Sequence, residues 1–279
     1  MFSLGKWLRG RALARAAIDD DDWQRALGRC RVAQHLDAGA RARLRECVTL
    51  FLDAKQFTAA GGLELTGDMR LAIALQACVP ILELGIDSYA PWLEVIVYPD
   101  EFIVEREQVD EAGVVHVVRE PLSGESWADG PVILSWADVE AANPEEAYNV
   151  VLHEFAHKLD MLDGDADGVP PLHAGMSRAQ WHATFSAAFD DLLDRVEQLE
   201  RLESRATRSR RRPAAAESLL PALDEAWAAL PLDPYACKDA GEFFACASEA
   251  FFEAPARLHA AYPEVYGQLR RFYRQDPLA

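Results

Sequence analysis

The stretch His153-Glu154-Phe155-Ala156-His157 decides how the chain is to be read. It has the form HExxH, and the residues around it read as one long helix. Residues four apart on a helix lie one above the other, so both imidazoles can point at a single metal ion. Glu154 follows the first histidine, where its carboxylate can reach a water held by that metal. This is the minimal machinery of a zinc hydrolase. So short a pattern recurs by chance, but here Val150, Val151, Leu152, Phe155 and Leu159 surround it. Polar groups buried in such a helix are costly unless paired. A hydrogen-bonded core histidine explains one imidazole; it does not explain two at this spacing with a glutamate between them.

Outward from the motif, Asn143-Pro144-Glu145-Glu146 carries a helix-start signal: a capping residue, a proline for the first turn and a capping-box glutamate. The helix is expected to run from there to Gly164 and to be buried against a sheet. Upstream, Leu93–Tyr98, Phe102–Val104, Val114–Val118 and Val132–Trp136 read as strands of a largely antiparallel or mixed sheet. Val132–Trp136, just ahead of the motif, is the expected edge on which an extended peptide pairs. Residues 23–60, 68–80 and almost everything after 176 read as helical, with final blocks at 239–253 and 256–274. The expected organisation is a flexible tail (1–22), an N-terminal lobe (23–168) and a helical C-terminal lobe (169–279). A loop or hairpin is inserted in the latter at about 196–230, carrying Arg201, Arg205, Arg208, Arg210, Arg211 and Arg212.

A catalytic zinc needs three protein ligands and a position for water. A third histidine six residues after the second would fall at position 163, which is Asp163, so that route is closed. A carboxylate on a later helix remains: Glu242 in Asp239-Ala240-Gly241-Glu242-Phe243-Phe244-Ala245, or Glu249. Asp239 and Glu242 also have the spacing of a capping box, so both readings of Glu242 stand. Glu249 shares its face and would suit a carboxylate that fixes the tautomer of a ligand histidine. Asp160, three residues after His157, competes for that role.

Other features narrow the function by exclusion. Asp163-Gly164-Asp165-Ala166-Asp167-Gly168 resembles the opening of a calcium loop, but the twelfth position is Ala174 and two prolines interrupt the exit helix, so a structured turn is expected. His173 and His182 lack ligand spacing and are expected at the surface. The net charge of −18 argues against direct nucleic-acid binding and against docking on anionic lipid. No apolar run is long enough for a membrane span. Five scattered cysteines without a C-x-x-C pair, and an N-terminus without an export signal, lead to a cytoplasmic expectation.

The stretch HEFAHKLDMLDGDADGVP (153–170), Tyr235, EFFACASEAFF (242–252) and FYRQDP (272–277), with PILELG (80–85), VIVYP (95–99) and GPVILSW (130–136) upstream, closely resembles the Mlc titration factor A (MtfA) family of bacterial zinc peptidases. The resemblance runs from about residue 40 to 277. It implies an α+β, zincin-like fold of gluzincin type, related to the anthrax lethal factor catalytic domain. In that fold a mixed or antiparallel sheet packs on the HExxH helix and the C-terminal part is mostly helical. It implies one catalytic Zn2+ held by His153, His157 and Glu242, with Glu154 as general base. Tyr235, seven residues before the ligand glutamate, matches a family tyrosine and could donate to the oxyanion. Peptide substrates, an aminopeptidase preference and an Mlc-like transcriptional repressor as partner follow from the resemblance alone. Against familiar members, the segment at about 196–230 is longer by roughly 25 residues. The rival reading is a regulatory protein that sequesters a transcription factor and keeps a structural or residual metal site. Glu154 favours catalysis, because a structural site needs ligands but no base.

Overall fold

The structure, a computed structural model, describes residues 13, 15, 17–109, 115–126, 130–142, 147–208 and 217–279. Helix α1 (Asp20–Arg29) is capped by Asp19, whose side chain accepts the N–H groups of Asp21 and Asp22. Asp20–Asp22, expected at the end of a tail, thus form a first helical turn, where carboxylates meet the positive end of the helix dipole. After a 3-10 turn, α2 (Ala38–Ala54) leads into β1 (Gln56–Ala59). The apparently continuous helical run of 23–60 therefore contains a strand. Its side chains are mostly exposed and show no apolar alternation, which is why the sequence pattern hides it.

Helix α3 (Gly67–Cys78) is followed by β2 (Glu94–Tyr98), β3 (Phe102–Val109), β4 (Val115–Leu122), β5 (Gly124–Ser126) and β6 (Val132–Ser135). Strands β3 and β4 form a separate antiparallel pair. The main sheet has the order β1-β2-β6-β5, with the first three strands parallel and β5 antiparallel to β6. This corrects the expected peptide-pairing edge. Strand β6 lies between β2 and β5, and its Val132, Leu134 and Ser135 are fully buried. The edge beside the site is β5, because the chain turns back after β4 and covers the open side of β6.

The short α4 (Trp136–Glu140) precedes α5 (Val150–Asp160), which carries the motif. The expected start signal at 143–146 lies outside the described residues. Helix α5 itself begins at Val150, and its cap is Asn149, whose side-chain oxygen accepts the Leu152 N–H. It ends at Asp160 in a 3-10 turn (Met161–Asp163) rather than continuing to Gly164. The remainder is helical: α6 (Arg178–Arg208), α7 (Leu220–Ala228), α8 (Ala240–Glu253), α9 (Pro255–Ala261) and α10 (Pro263–Tyr273). The expected single block at 256–274 is two helices, parted at Tyr262 where Pro263 starts the second.

Two aromatic clusters hold the site helices in place. Phe155, on the buried side of α5, packs within 5.7 Å (ring centroids) of Phe51, Tyr89 and Trp92. Phe243 and Phe244 of α8 pack with Trp181, Phe185 and Phe272. The loop after α5 then locks the two helices together. Gly168, at φ +77°, lies so close to α8 that a Cβ there would sit 2.9 Å from the Ala240 carbonyl carbon. A Cβ on Gly241 would sit 2.7 Å from the Ala166 carbonyl oxygen. Asp160 accepts the Gly168 N–H at 2.8 Å, and the Trp181 indole N–H donates to the Gly168 carbonyl at 2.8 Å. Two glycines therefore let the backbone at the end of α5 touch the backbone at the start of α8.

Candidate metal centre

On α5, His153 and His157 present their Nε2 atoms 3.2 Å apart. From α8, Glu242 brings Oε2 to 3.0 Å from His153 Nε2 and 3.1 Å from His157 Nε2. Glu242 lies 89 residues beyond His153 and 85 beyond His157 in the sequence. Asp239 accepts the Glu242 N–H at 2.9 Å, so it caps α8 while the Glu242 side chain turns to the histidines. The two readings of Glu242 are thus compatible: the cap needs only its backbone.

A second carboxylate orients the first histidine. Glu249 Oε1 lies 2.7 Å from His153 Nδ1, and its Oε2 accepts the Asn149 N–H at 2.6 Å. The Asn149 amide in turn donates to Gln76 and Glu253, both at 2.7 Å. Asp160, the competing candidate, reaches neither histidine; it supports the loop through Gly168. With Nδ1 of His153 directed at Glu249, its Nε2 faces a second nitrogen and a carboxylate oxygen. Two ring nitrogens and a carboxylate oxygen converging on one point are a donor set suited to a divalent cation such as zinc.

The triangle also has the right size. Tetrahedral zinc with bonds of about 2.0–2.2 Å separates neighbouring ligand atoms by about 3.3 Å, and the observed separations are 3.0, 3.1 and 3.2 Å. Among the described residues, two groups have ligand atoms close enough to hold a metal ion: this triad, and His153 with Cys246 and Glu249. The aspartates of 163–167 form no such group; Arg178 pairs with Asp163 and Asp167. Of the histidines expected at the surface, His182 is exposed, whereas His173 is half-buried with Nε2 2.7 Å from the Phe272 carbonyl.

Burial raises the Glu242 carboxyl, but hydrogen bonds from His153 and His157 overcome this and hold it well below the usual range. Burial lowers His153, and the Glu249 charge, aided by Cys246 and Glu242, reverses this and raises it well above an ordinary imidazole. Glu154 is pushed up by burial, with partial offset from the two histidines. Its Oε2 is buried and has no partner among the described residues. Tyr235, 44% exposed, donates its hydroxyl to Glu242 Oε1 at 3.1 Å. Lys238 bonds both groups, at 3.0 Å from the Tyr235 oxygen and 2.7 Å from Glu242 Oε1.

Residue patterns alone passed over Lys238, Asn149 and Gly124. Lys238 stands four before Glu242, a usable helical signal. Asn149 is a capping residue ahead of the apolar run, overshadowed by the stronger-looking Asn143. Gly124 gives no local signal: a Cβ there would sit 2.6 and 2.7 Å from Glu154 Cγ and Cδ, a contact between a strand and a distant helix.

Comparison with known proteins identifies the family. The sequence profile of the glucose-regulated metallo-peptidase M90 family matches residues 4–274. The chain belongs to the M90 family. Among similar proteins, Mlc titration factor A of Klebsiella pneumoniae subsp. pneumoniae is 35% identical over 257 residues, covering 92% of this chain and 87% of the relative. Mlc titration factor A of Salmonella choleraesuis is 36% identical over 262 residues, covering 93% and 88%. Membership of M90 places the chain among metallopeptidases, and the mixed sheet with a mostly helical C-terminal half is the zincin-like architecture the sequence led one to expect. No helix of the described residues is long and apolar enough to cross a membrane.

Proposed function

We propose that this M90 protein is a zinc-dependent peptidase with His153, His157 and Glu242 as metal ligands and Glu154 as general base. The observation that carries the reading is the convergence of three ligand atoms within 3.2 Å of one another, next to a buried carboxylate with an unpartnered oxygen. Zinc bound there would supply the Lewis acidity that makes water nucleophilic near neutral pH and polarises the scissile carbonyl.

The chain's own residues divide the remaining work. Glu154 takes the proton of the attacking water and returns it to the leaving amine; burial keeps its carboxyl basic enough for both transfers. Glu249 fixes the His153 ring by holding Nδ1. Tyr235 leaves Glu242 and donates its hydroxyl to the developing oxyanion, while Lys238 keeps Glu242 Oε1 bonded when that donor departs. An extended peptide pairs with the free edge of β5, which runs past Glu154: the Ser126 hydroxyl donates to the Glu154 carbonyl at 2.9 Å.

Replacement Glu154→Gln tests the mechanism. Zinc content is expected to stay at the wild-type level, while kcat for peptide hydrolysis falls by about 100- to 10,000-fold, as for loss of a general base. Full activity in that variant would remove the catalytic reading and leave the metal site structural.

The relatives' name, Mlc titration factor A, supports a second role, binding of an Mlc-like partner, which the family resemblance reads as a transcriptional repressor. Co-purification of such a repressor with the Glu154→Gln protein would show that binding is independent of hydrolysis. The aminopeptidase preference rests on the family resemblance, and exopeptidase against endopeptidase products on one peptide decide it.

A further inference from the structure

A cavity of about 430 Å3 lies between α1, α3, α4 and the C-terminal end of α8, and shares no lining residue with the metal centre. Its size falls in the range of small-molecule pockets, roughly 300–1,000 Å3. Gln76 of α3 and Glu253, the last residue of α8, stand in its wall. Both accept hydrogen bonds from the Asn149 amide at 2.7 Å. Asn149 caps α5 and donates its backbone N–H to Glu249, which holds His153 Nδ1. Two hydrogen-bonded residues, Asn149 and Glu249, therefore join the wall of this cavity to a proposed metal ligand.

The lining carries charges of both signs. Arg25 is taken up by Asp22 and lies 4.0 Å from Asp68. The guanidinium groups of Arg29 and Arg31 form no ion pair or hydrogen bond among the described residues. In a chain with 46 acidic against 28 basic side chains, two arginines without a carboxylate partner stand out. Glu253 gives Oε1 to Asn149, and its Oε2 has no hydrogen bond among the described residues. Burial pushes the Glu253 carboxyl up, against the opposing pull of Asn149 and Arg31. Between these charges the wall is apolar, with Val32, Met69 and Val139 buried. A purely anionic guest would face Glu253 and Glu140, and a purely cationic one would face the arginines. A free amino acid, the end product of peptide hydrolysis, has a carboxylate for the arginines, an ammonium for Glu253 and a side chain for the apolar wall.

We propose that this cavity binds a zwitterionic amino acid with an apolar side chain, and that its occupancy tightens the metal centre through Gln76, Glu253 and Asn149. The physical route is restraint: a guest held on Glu253 and packed against Gln76 fixes the two acceptors that hold Asn149. Outer partners of ligand histidines are worth about 10- to 100-fold in metal affinity. The coupling is reciprocal, so zinc strengthens amino-acid binding by the same factor. The coupling rests on the proposed metal centre; the binding site itself does not, and neither depends on hydrolysis.

The experiment uses the zinc-loaded full chain and three probes: L-leucine, 4-methylpentanoate, which lacks the ammonium, and isoamylamine, which lacks the carboxylate. Isothermal titration calorimetry reads binding, and chelator competition reads zinc affinity with and without saturating leucine. Leucine is expected to bind saturably, and each truncated probe to bind at least about tenfold more weakly, as for loss of hydrogen bonds to a charged group. Saturating leucine is expected to raise zinc affinity by about fivefold or more. Both effects are expected to vanish in the double variant Arg29→Ala/Arg31→Ala, which also corrects for zinc bound by free leucine. No saturable leucine binding, or binding unchanged in the double variant, overturns the site; the latter places leucine in the metal cleft. Equal binding of leucine and either truncated probe overturns the zwitterion assignment. Zinc affinity unchanged by saturating leucine overturns the coupling. The wild-type probe comparison decides the ligand class even if the double variant does not fold, and none of these outcomes bears on the peptidase reading.

Discussion

At the residue scale, two of the three proposed ligand atoms are aimed by something behind them, whereas His157 Nδ1 is buried without a partner among the described residues. His153 is turned by Glu249, Glu249 is held by Asn149, and Glu242 is steadied on its other oxygen by Tyr235 and Lys238. The two histidines and Glu154 were legible in the sequence because a helix converts spacing into direction. Glu249 was legible as a candidate because it lies seven residues from Glu242. Gly124 was not, since nothing near position 124 announces a carboxylate that arrives from residue 154. Its absent side chain makes a direct prediction. In Gly124→Ala the new methyl overlaps the Glu154 side chain and displaces it, and a 1 Å misplacement of a reacting group costs about 100-fold in rate. We expect kcat to fall by that order with zinc content unchanged, read by metal analysis and steady-state kinetics together. Wild-type kcat in Gly124→Ala would mean that Glu154 is not held by this contact.

At the element scale, the site depends on how α5 and α8 are fastened. Phe155 fixes α5 in one aromatic cluster and Phe243 and Phe244 fix α8 in another, but neither cluster spans both helices. The 164–170 loop does, through the close backbone approaches at Gly168 and Gly241. From its residues alone this loop reads as a structured turn with a calcium-like pattern of aspartates. Its function as a clasp depends on backbone-to-backbone packing, which leaves a pair of glycines and no side-chain pattern. In Gly241→Ala the loop must move away from α8, which shifts the adjacent Glu242. We expect zinc affinity to drop by about tenfold or more, as for loss of a supporting contact, measured by competition with a chelator. An unchanged affinity would show that the loop contact at Gly241 does not position Glu242. Similarly, β5 escaped the sequence reading as the sheet edge because only three residues pair, and pairing order is not written in the residues of a single strand.

At the scale of the whole molecule, the zincin-like class, the helical C-terminal half and the long segment after 176 were readable from hydrophobic periodicity and the family resemblance. Strand β1, the split of the last helical block and the clasp were not, because they depend on pairing and packing rather than on local pattern. Stability carries one pH-dependent signature. Asp160 is fully buried, and burial together with Asp167 and Asp163 raises its pKa to about 7, against the Gly168 N–H that lowers it. The unfolded chain releases this proton near pH 4 while the folded protein keeps it until about pH 7. Folding therefore loses stability from this group as pH rises between those values, and the loss is complete above pH 7. Asp160→Asn keeps an acceptor for Gly168 and removes the charge. The Tm difference, variant minus wild type, is expected to become more positive from pH 5 to pH 8; a constant difference would mean that Asp160 titrates normally. The central claim is that two helices distant in sequence close one zinc site. Its most direct test is the zinc stoichiometry of purified wild type and Glu242→Gln after dialysis against a mild chelator. One zinc per wild-type chain is expected, with a large loss in the variant while its fold stays intact by circular dichroism. Equal zinc in both proteins would contradict it and place the third ligand elsewhere.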